Sequence, residues 1–118
     1  MKYSIVYIET RPEIQERLSI GLIISVDGQI EVKTYLKKLK AAETLLSDRE
    51  YKFVARTLGD MRNSIKTEQE VDYLSRYSNN LITISPMQTI DIDDSRKNRD
   101  WLYRNYVYSH SRSAAATA

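Results

Sequence analysis

An Asp-Gly pair lies between two runs in which apolar and polar residues alternate, and this pattern limits the folds open to the chain. Asp27 and Gly28 separate residues 18–26 from residues 29–35. A two-residue turn of type I′ needs positive φ at both central positions, which Asp-Gly adopts readily. The first run divides its side chains between two faces, with Leu18, Ile20, Leu22, Ile24 and Val26 on one and Ser19, Gly21, Ile23 and Ser25 on the other. The two runs predict a β-hairpin.

The first residues of the chain predict a strand in the interior of a sheet. Residues 2–9 read KYSIVYIE and are rich in tyrosine and β-branched side chains. Alternate positions are apolar on both faces, as expected where both faces of a strand are covered. Residues 10–15 include Pro12 and predict a connection to the hairpin.

Two capping boxes predict the starts of two helices. Ser47 is followed three residues later by Glu50, and Thr67 by Glu70. Apolar residues recur at helical spacing after the first box, at Tyr51, Val54, Ala55, Leu58, Met61 and Ile65. Gly59 lies inside this helix, where glycine costs about 1 kcal/mol relative to alanine, and it indicates a close packing contact. The second helix is predicted to end near residues 78–80.

The C-terminal third predicts further strands and a last helix. Residues 81–85 are strand-like and stop at Pro86, residues 89–92 predict a short edge strand, and Asp93 or Asp94 is expected to cap a helix reaching about Ser109. The element order predicts an α+β domain over residues 1–109. Its small antiparallel sheet would combine a three-strand meander with one or two later strands, with about three helices packed on one face. Residues 110–118 predict a flexible tail.

Composition excludes several classes of protein. The 118 residues include no cysteine, which removes thiolate nucleophiles, thiolate metal sites and disulfides. No apolar run approaches the ~20 residues of a membrane span or the pattern of a signal peptide, so we expect a cytoplasmic protein without membrane contact. The formal net charge of +2 does not by itself indicate a nucleic-acid partner.

Few residues could carry acid–base or metal chemistry. His110 is the one histidine of the chain and lies in the predicted tail, where nothing would orient it toward a nucleophile. The carboxylates Asp91, Asp93 and Asp94 could chelate a hard cation, but a role in helix capping explains the last two more simply. No catalytic residue, metal site or cofactor is predicted, and the protein is not expected to be an enzyme.

Glu16, Ser19 and Gly21 form the segment that most invites a functional interpretation. Glu16 opens the first hairpin strand and could be a surface charge, an ion-pair partner of Arg11 or Arg17, a buried polar anchor, or the carboxylate of an enzyme site. A structural role is favoured. Gly21 inside a strand indicates a bulge or the close approach of another backbone segment.

Basic and aromatic residues alternate along the last predicted helix. Arg96, Lys97, Arg99 and Arg104 are interleaved with Trp101, Tyr103, Tyr106 and Tyr108, while a second basic stretch holds Lys33, Lys37, Lys38 and Lys40. Such a helix could bind single-stranded nucleic acid, but aromatic residues that cover a sheet beside solvated cations are the favoured explanation. The nine tyrosines of the chain favour a protein-binding surface.

Three stretches resemble a bacterial family known as "domain of unknown function 3037". They are residues 3–6 (YSIV), residues 16–21 (ERLSIG) continued by residues 22–24 (LII), and residues 80–86 (NLITISP) before the terminal helix. Ser19 stands where the family typically has asparagine. The resemblance implies a small bacterial protein without an established activity. Genes of the family sometimes lie beside genes that encode kinases resembling the HipA toxin. By this association, the resemblance implies such a kinase as a partner.

The sequence thus supports three hypotheses of different kinds. The first is a non-catalytic interaction or regulatory module, the antitoxin-like partner of a HipA-like kinase. The second is a nucleic-acid-binding protein that uses the basic C-terminal helix, and the third is an enzyme with a carboxylate site near Glu16. Association of identical copies is compatible with each of them.

Overall fold

The computed structural model describes residues 1–11, 16–76 and 81–108, which form an antiparallel sheet of five strands covered by helices. The strands are β1 (Lys2–Arg11), β2 (Glu16–Val26), β3 (Gln29–Thr34), β4 (Ile82–Ile84) and β5 (Gln88–Thr89). Their order is β3-β2-β1-β4, and β5 also pairs with β1. The predicted α+β class, the three-strand meander and the interior position of β1 are therefore confirmed.

Four helices surround this sheet. They are α1 (Leu36–Ala41), continued by a 3₁₀ turn (Ala42–Leu45), α2 (Asp48–Ser64), α3 (Glu68–Arg76) and α4 (Arg96–Tyr103), continued by a π-helical turn (Arg104–Tyr108). The Ser47 box forms at the start of α2 as predicted. At α3, the Thr67 hydroxyl accepts from Glu70 N, but the Glu70 carboxylate accepts from Lys66 N. The helix α1 was not predicted, because Tyr35 precedes it without any side-chain cap.

The hairpin turns where the Asp-Gly pair predicted. Asp27 and Gly28 have φ values of 52° and 80°, and Val26 pairs with Gln29 across the turn. These angles are those that a type I′ turn requires. The same angles would strain most other residues.

A β-bulge in β2 changes which side chains share a face. Val6 pairs with Gly21 and Tyr7 with Ser19, so Ile20 is an extra residue opposite β1. Leu22, Ile24 and Val26 therefore lie on one side of the sheet, while Leu18, Ile20 and Ile23 lie on the other. The predicted alternation along this strand was wrong on the N-terminal side of the bulge, although the bulge itself was predicted from Gly21.

The sheet has two apolar faces, and the helices cover both faces rather than the one predicted. Val6 and Ile8 belong to a cluster with residues of α2 and α3, which include Val54, Leu58 and Val71. Tyr3 and Ile5 belong to a second cluster on the opposite face, with Leu22, Ile24, Leu102 and Val107. Since β1 and β2 are apolar on both sides, each face needs its own layer of helix to exclude water.

Some predictions fall on parts of the chain that the structure does not describe. The connection at residues 12–15, the end of the second predicted helix at residues 78–80, and the tail at residues 110–118 with its histidine lie outside the described residues. Within the described residues, none of the helices combines the length and the apolar character that crossing a bilayer would require.

Candidate interaction surface

The segment from Glu16 to Gly21 is used by the sheet itself. The backbone of Glu16 pairs with Arg11 in β1, and the side chains of both residues lie outside the described part of the structure. The Ser19 hydroxyl is buried and accepts a hydrogen bond from Lys38 Nζ at 3.0 Å. The Arg17 guanidinium lies 4.0 Å from the centre of the Tyr7 ring. Because the Glu16 carboxylate lies outside the described part of the structure, the hypothesis of an enzyme site at this residue stays a prediction.

Gly21 fits tightly between neighbouring strands. A Cβ atom at this position would lie 3.0 Å from the backbone oxygen of Lys33 and 3.3 Å from Cβ of Val6. Both contacts are closer than ordinary van der Waals distances for these atoms. The glycine thus allows the bulge and the approach of β3 at the same point, and both alternatives derived from the sequence apply.

Lys38 is a buried cation that the sequence did not single out. Its side chain is 5% exposed, and Nζ donates to Ser19 Oγ and to the Val107 carbonyl at 2.7 Å. It joins α1, the bulge of β2 and the C-terminal helical turn. Burial disfavours the charged form and lowers the pKa of Lys38 to about 8. The sequence grouped this residue with Lys33, Lys37 and Lys40 as one basic stretch, because α1 itself was not recognised.

Lys38 predicts a stability that rises with pH on the alkaline side. Between about pH 8 and the ordinary lysine pKa of 10.5, the unfolded chain holds more protons than the folded one, so the free energy of unfolding increases with pH. Burial also raises the pKa of Tyr3 to about 12, so stability falls again above the ordinary tyrosine pKa of 10.0. Urea unfolding from pH 8 to pH 11 should show a maximum near pH 10. In Lys38→Met the rise should vanish while the fall remains; an unchanged rise would contradict this assignment.

The acidic residues before α4 serve the helix. Ser95 is the N-cap and accepts from Asn98 N, so the prediction that Asp93 or Asp94 caps the helix was wrong. Asp93 contributes its backbone carbonyl to the Asn98 side chain, and Asp94 pairs with Arg99. Among the described residues, no group of three or more acidic or histidine side chains is arranged to hold a metal ion.

The four basic residues of the last helix divide into two groups. Arg99 is partly buried and donates to both carboxylate oxygens of Asp94, at 2.5 and 3.0 Å, and also to Glu31 in β3. Arg96, Lys97 and Arg104 are exposed. Lys97 and Arg104 lie four residues before and three residues after Trp101, which is 49% exposed, so we expect these side chains to share one side of α4 and of the π-helical turn that continues it.

Several of the tyrosines that favoured a binding surface pack against the sheet. Tyr3 is buried and its ring centre lies 5.0 Å from that of Tyr106. Tyr35 and Tyr103 meet edge to face at 6.2 Å. These rings fill the layer between α4 and the sheet. Tyrosine content therefore does not by itself indicate where a partner binds.

The strand β3 forms one edge of the sheet. Tyr35, which directly follows β3, donates its N–H to the Ile20 carbonyl of β2 at 2.7 Å. The backbone groups of every second residue before it, Lys33 and Glu31, therefore also point toward β2. In an antiparallel ladder, inward and outward backbone groups alternate along the strand. The N–H and C=O groups of Ile30, Val32 and Thr34 therefore point away from β2. Within the described residues, no strand pairs with this side of β3.

An open groove runs along this edge between two helices. Its volume is about 750 Å³, and it is lined by β3, by α2 through Gly59, Arg62 and Asn63, and by α4 through Arg99. A second depression of about 410 Å³ continues it past Arg62 to Tyr103. The edge strand thus lies between an α2 wall and an α4 wall.

Ion pairs fix the α4 wall to β3, whereas the α2 wall has no side chain at Gly59. Besides the pair of Glu31 with Arg99, Lys33 pairs with Asp100 at 3.6 Å, and Lys33 Nζ lies 5.7 Å from the centre of the Tyr103 ring. On the α2 wall, a Cβ atom at Gly59 would have no atom within 4 Å outside its own local segment. The close packing contact predicted for this glycine was wrong, because Gly59 faces the groove.

Comparison with known proteins adds no relative: no protein-family model, no curated protein and no solved structure matches the chain. The similarity to the family of "domain of unknown function 3037" therefore stays a prediction from short motifs. The groove along β3 was not predicted, since the sequence alone does not show which strand lies at the edge or which helices lie beside it.

Proposed function

We propose that the protein is a non-catalytic protein-interaction module that binds its partner in the groove along β3. Gly59 is the observation that carries the proposal. A glycine inside a helix costs about 1 kcal/mol relative to alanine, and no packing contact compensates for it here. A larger side chain at this position would occupy the groove, so the glycine keeps the binding surface open.

The backbone of β3 supports the same interpretation. An edge strand with unpaired N–H and C=O groups invites pairing with another chain, and proteins usually cover or block such edges. Here none of the described strands pairs with the edge between its two walls, and the residues that line the groove are mostly polar. A surface of this kind suits a partner that supplies its own backbone hydrogen bonds.

A kinase resembling the HipA toxin is the partner that we propose to test first. This choice rests on the sequence resemblance alone. In that arrangement the chain would be the regulatory, antitoxin-like member of a two-gene system. The partner would be held by binding alone.

Co-expression of the tagged chain with such a kinase tests the proposal. The wild-type chain and Gly59→Ala should retain the kinase, because alanine leaves most of the groove open. Gly59→Trp should reduce capture at least tenfold by filling it. Glu43→Trp places the same side chain on an exposed residue outside the groove and should have no effect. Equal capture by all four chains would exclude the groove as the binding surface.

Nucleic-acid binding by α4 is the second candidate. The exposed side that carries Lys97, Trp101 and Arg104 combines two cations with an aromatic ring, as single-strand binders do. It is the weaker candidate, since the most central arginine, Arg99, is held by Glu31 and Asp94. Absence of a salt-dependent mobility shift with single-stranded oligonucleotides at low salt would remove it.

A further inference from the structure

We propose that the occupant of the groove is an extended, acidic segment of the partner that joins the sheet as an additional strand beside β3. This inference rests on the proposed function and specifies its chemistry. It predicts both the backbone groups that the partner contacts and the charge that it presents.

The backbone of β3 offers a regular set of hydrogen-bonding groups. Ile30, Val32 and Thr34 each turn one donor and one acceptor outward, at every second residue. An extended peptide has the same spacing and can pair with all of them, which is how strand addition gives affinity without deep pockets. A helix could not satisfy these groups, because its own N–H and C=O groups bond internally.

The side chains of an added strand would alternate between the two walls. Those on the α4 side meet charges that are already paired, since Arg99 contacts Glu31 and Asp94 and Lys33 contacts Asp100. Those on the α2 side meet Arg62, which lines both parts of the groove. Within the described residues, Arg62 has no ion-pair partner. A carboxylate on the α2 side of the incoming strand would supply one.

A second copy of this chain is a less suitable occupant. Two β3 strands that paired antiparallel about a two-fold axis would place both copies of α2 on the same side of the joined sheet, next to the junction. The α2 wall already borders the edge through Gly59, Arg62 and Asn63. A single strand needs less room than a second sheet edge with its own helix.

Titration of the ¹⁵N-labelled full chain with two capped peptides tests the inference. One peptide is Thr-Val-Glu-Val-Glu-Val-Thr, and the other has lysine in place of both glutamates. The acidic peptide should shift the amide signals of Ile30, Val32 and Thr34 and slow their hydrogen exchange more than those of Glu31 and Lys33. It should bind about tenfold more tightly than the basic one, as expected for one charge-assisted pair.

Two substitutions separate the backbone part from the charge part. Arg62→Glu should reverse the preference between the peptides. Thr34→Pro removes an outward N–H without removing a hydrogen bond to β2, so it should abolish binding, whereas Thr34→Val should retain it. Thermal unfolding of Thr34→Pro verifies that the variant is folded.

Several outcomes would overturn the inference. They are equal binding of the two peptides, amide shifts confined to other surfaces, and a concentration-dependent dimer that Thr34→Pro abolishes, which would identify a second copy as the occupant. Loss of kinase capture in Gly59→Trp, together with no binding of either peptide, would reject the acidic strand as the occupant but would leave the proposed function standing. Unchanged capture in Gly59→Trp would instead reject the proposed function.

Discussion

Replacement of Leu102 by alanine is expected to lower the free energy of unfolding by about 3 kcal/mol. Leu102 is fully buried and is the buried α4 residue of the cluster that also contains Tyr3, Ile5, Leu22 and Ile24. Truncation removes apolar contacts and leaves a cavity that the β-strands beneath cannot close. Urea denaturation followed by circular dichroism would measure the loss.

The same substitution should loosen one wall of the groove. Besides the packing of Leu102, ion pairs connect α4 to β3. These pairs are partly exposed, and such pairs contribute at most about 1 kcal/mol each. Trp101→Ala is the matched control, because Trp101 is the preceding residue and is 49% exposed. It should cost less than about 1 kcal/mol. Similar losses for the two variants would show that Leu102 does not anchor the helix.

Replacement of Gly21 by alanine should destabilise the fold by about 1–3 kcal/mol. The new methyl group would lie 3.0 Å from the Lys33 oxygen, which is a backbone atom and cannot rotate away. Either β3 or the bulge would have to shift, and both carry the hydrogen-bond register of the hairpin. Because β3 forms the floor of the groove, the shift should also be visible in the amide signals of Ile30 and Val32.

Gly59→Ala is the matched control for this experiment, since it makes the identical chemical change in open space. Alanine at position 59 should stabilise the protein by up to about 1 kcal/mol, because alanine has the higher helix propensity and the new methyl group would have no atom within 4 Å outside its own local segment. Opposite signs at the two glycines are therefore expected in the same denaturation assay. A loss of stability at both positions would mean that Gly59 packs against part of the chain after all.

The parts of the fold that could be predicted depend on local signals. The turn at Asp27 and Gly28, the cap at Ser47 and the interior character of β1 each follow from residues that are close together in sequence. The faces of β2 could not be assigned across the bulge, because an extra residue reverses the alternation on one side of it relative to the other, which here misplaced the residues on the N-terminal side. The helix α1 was missed since it begins after Tyr35, which offers no capping side chain.

The candidate surface depends on contacts that are distant in sequence. β3 lies at the edge of the sheet because β4 pairs with β1 and not with β3. The α4 wall stands beside β3 because Arg99 in α4 pairs with Glu31. The sequence pattern grouped Arg99 with three other basic residues, yet its neighbours across the sheet make it a structural residue. Lys38 was similarly indistinguishable from nearby lysines until the position of Val107 was known.

The pairing of β1 with β4 also bears on how the chain is made. Val6 pairs with Ile84, so this side of the first strand gains its neighbour about 80 residues later in the sequence. At ribosomal rates of about 5–20 residues per second, roughly 4–16 seconds pass between the synthesis of the two strands. During that interval we expect this side of β1 to lack its strand neighbour, so that its apolar edge is open to pairing with other chains.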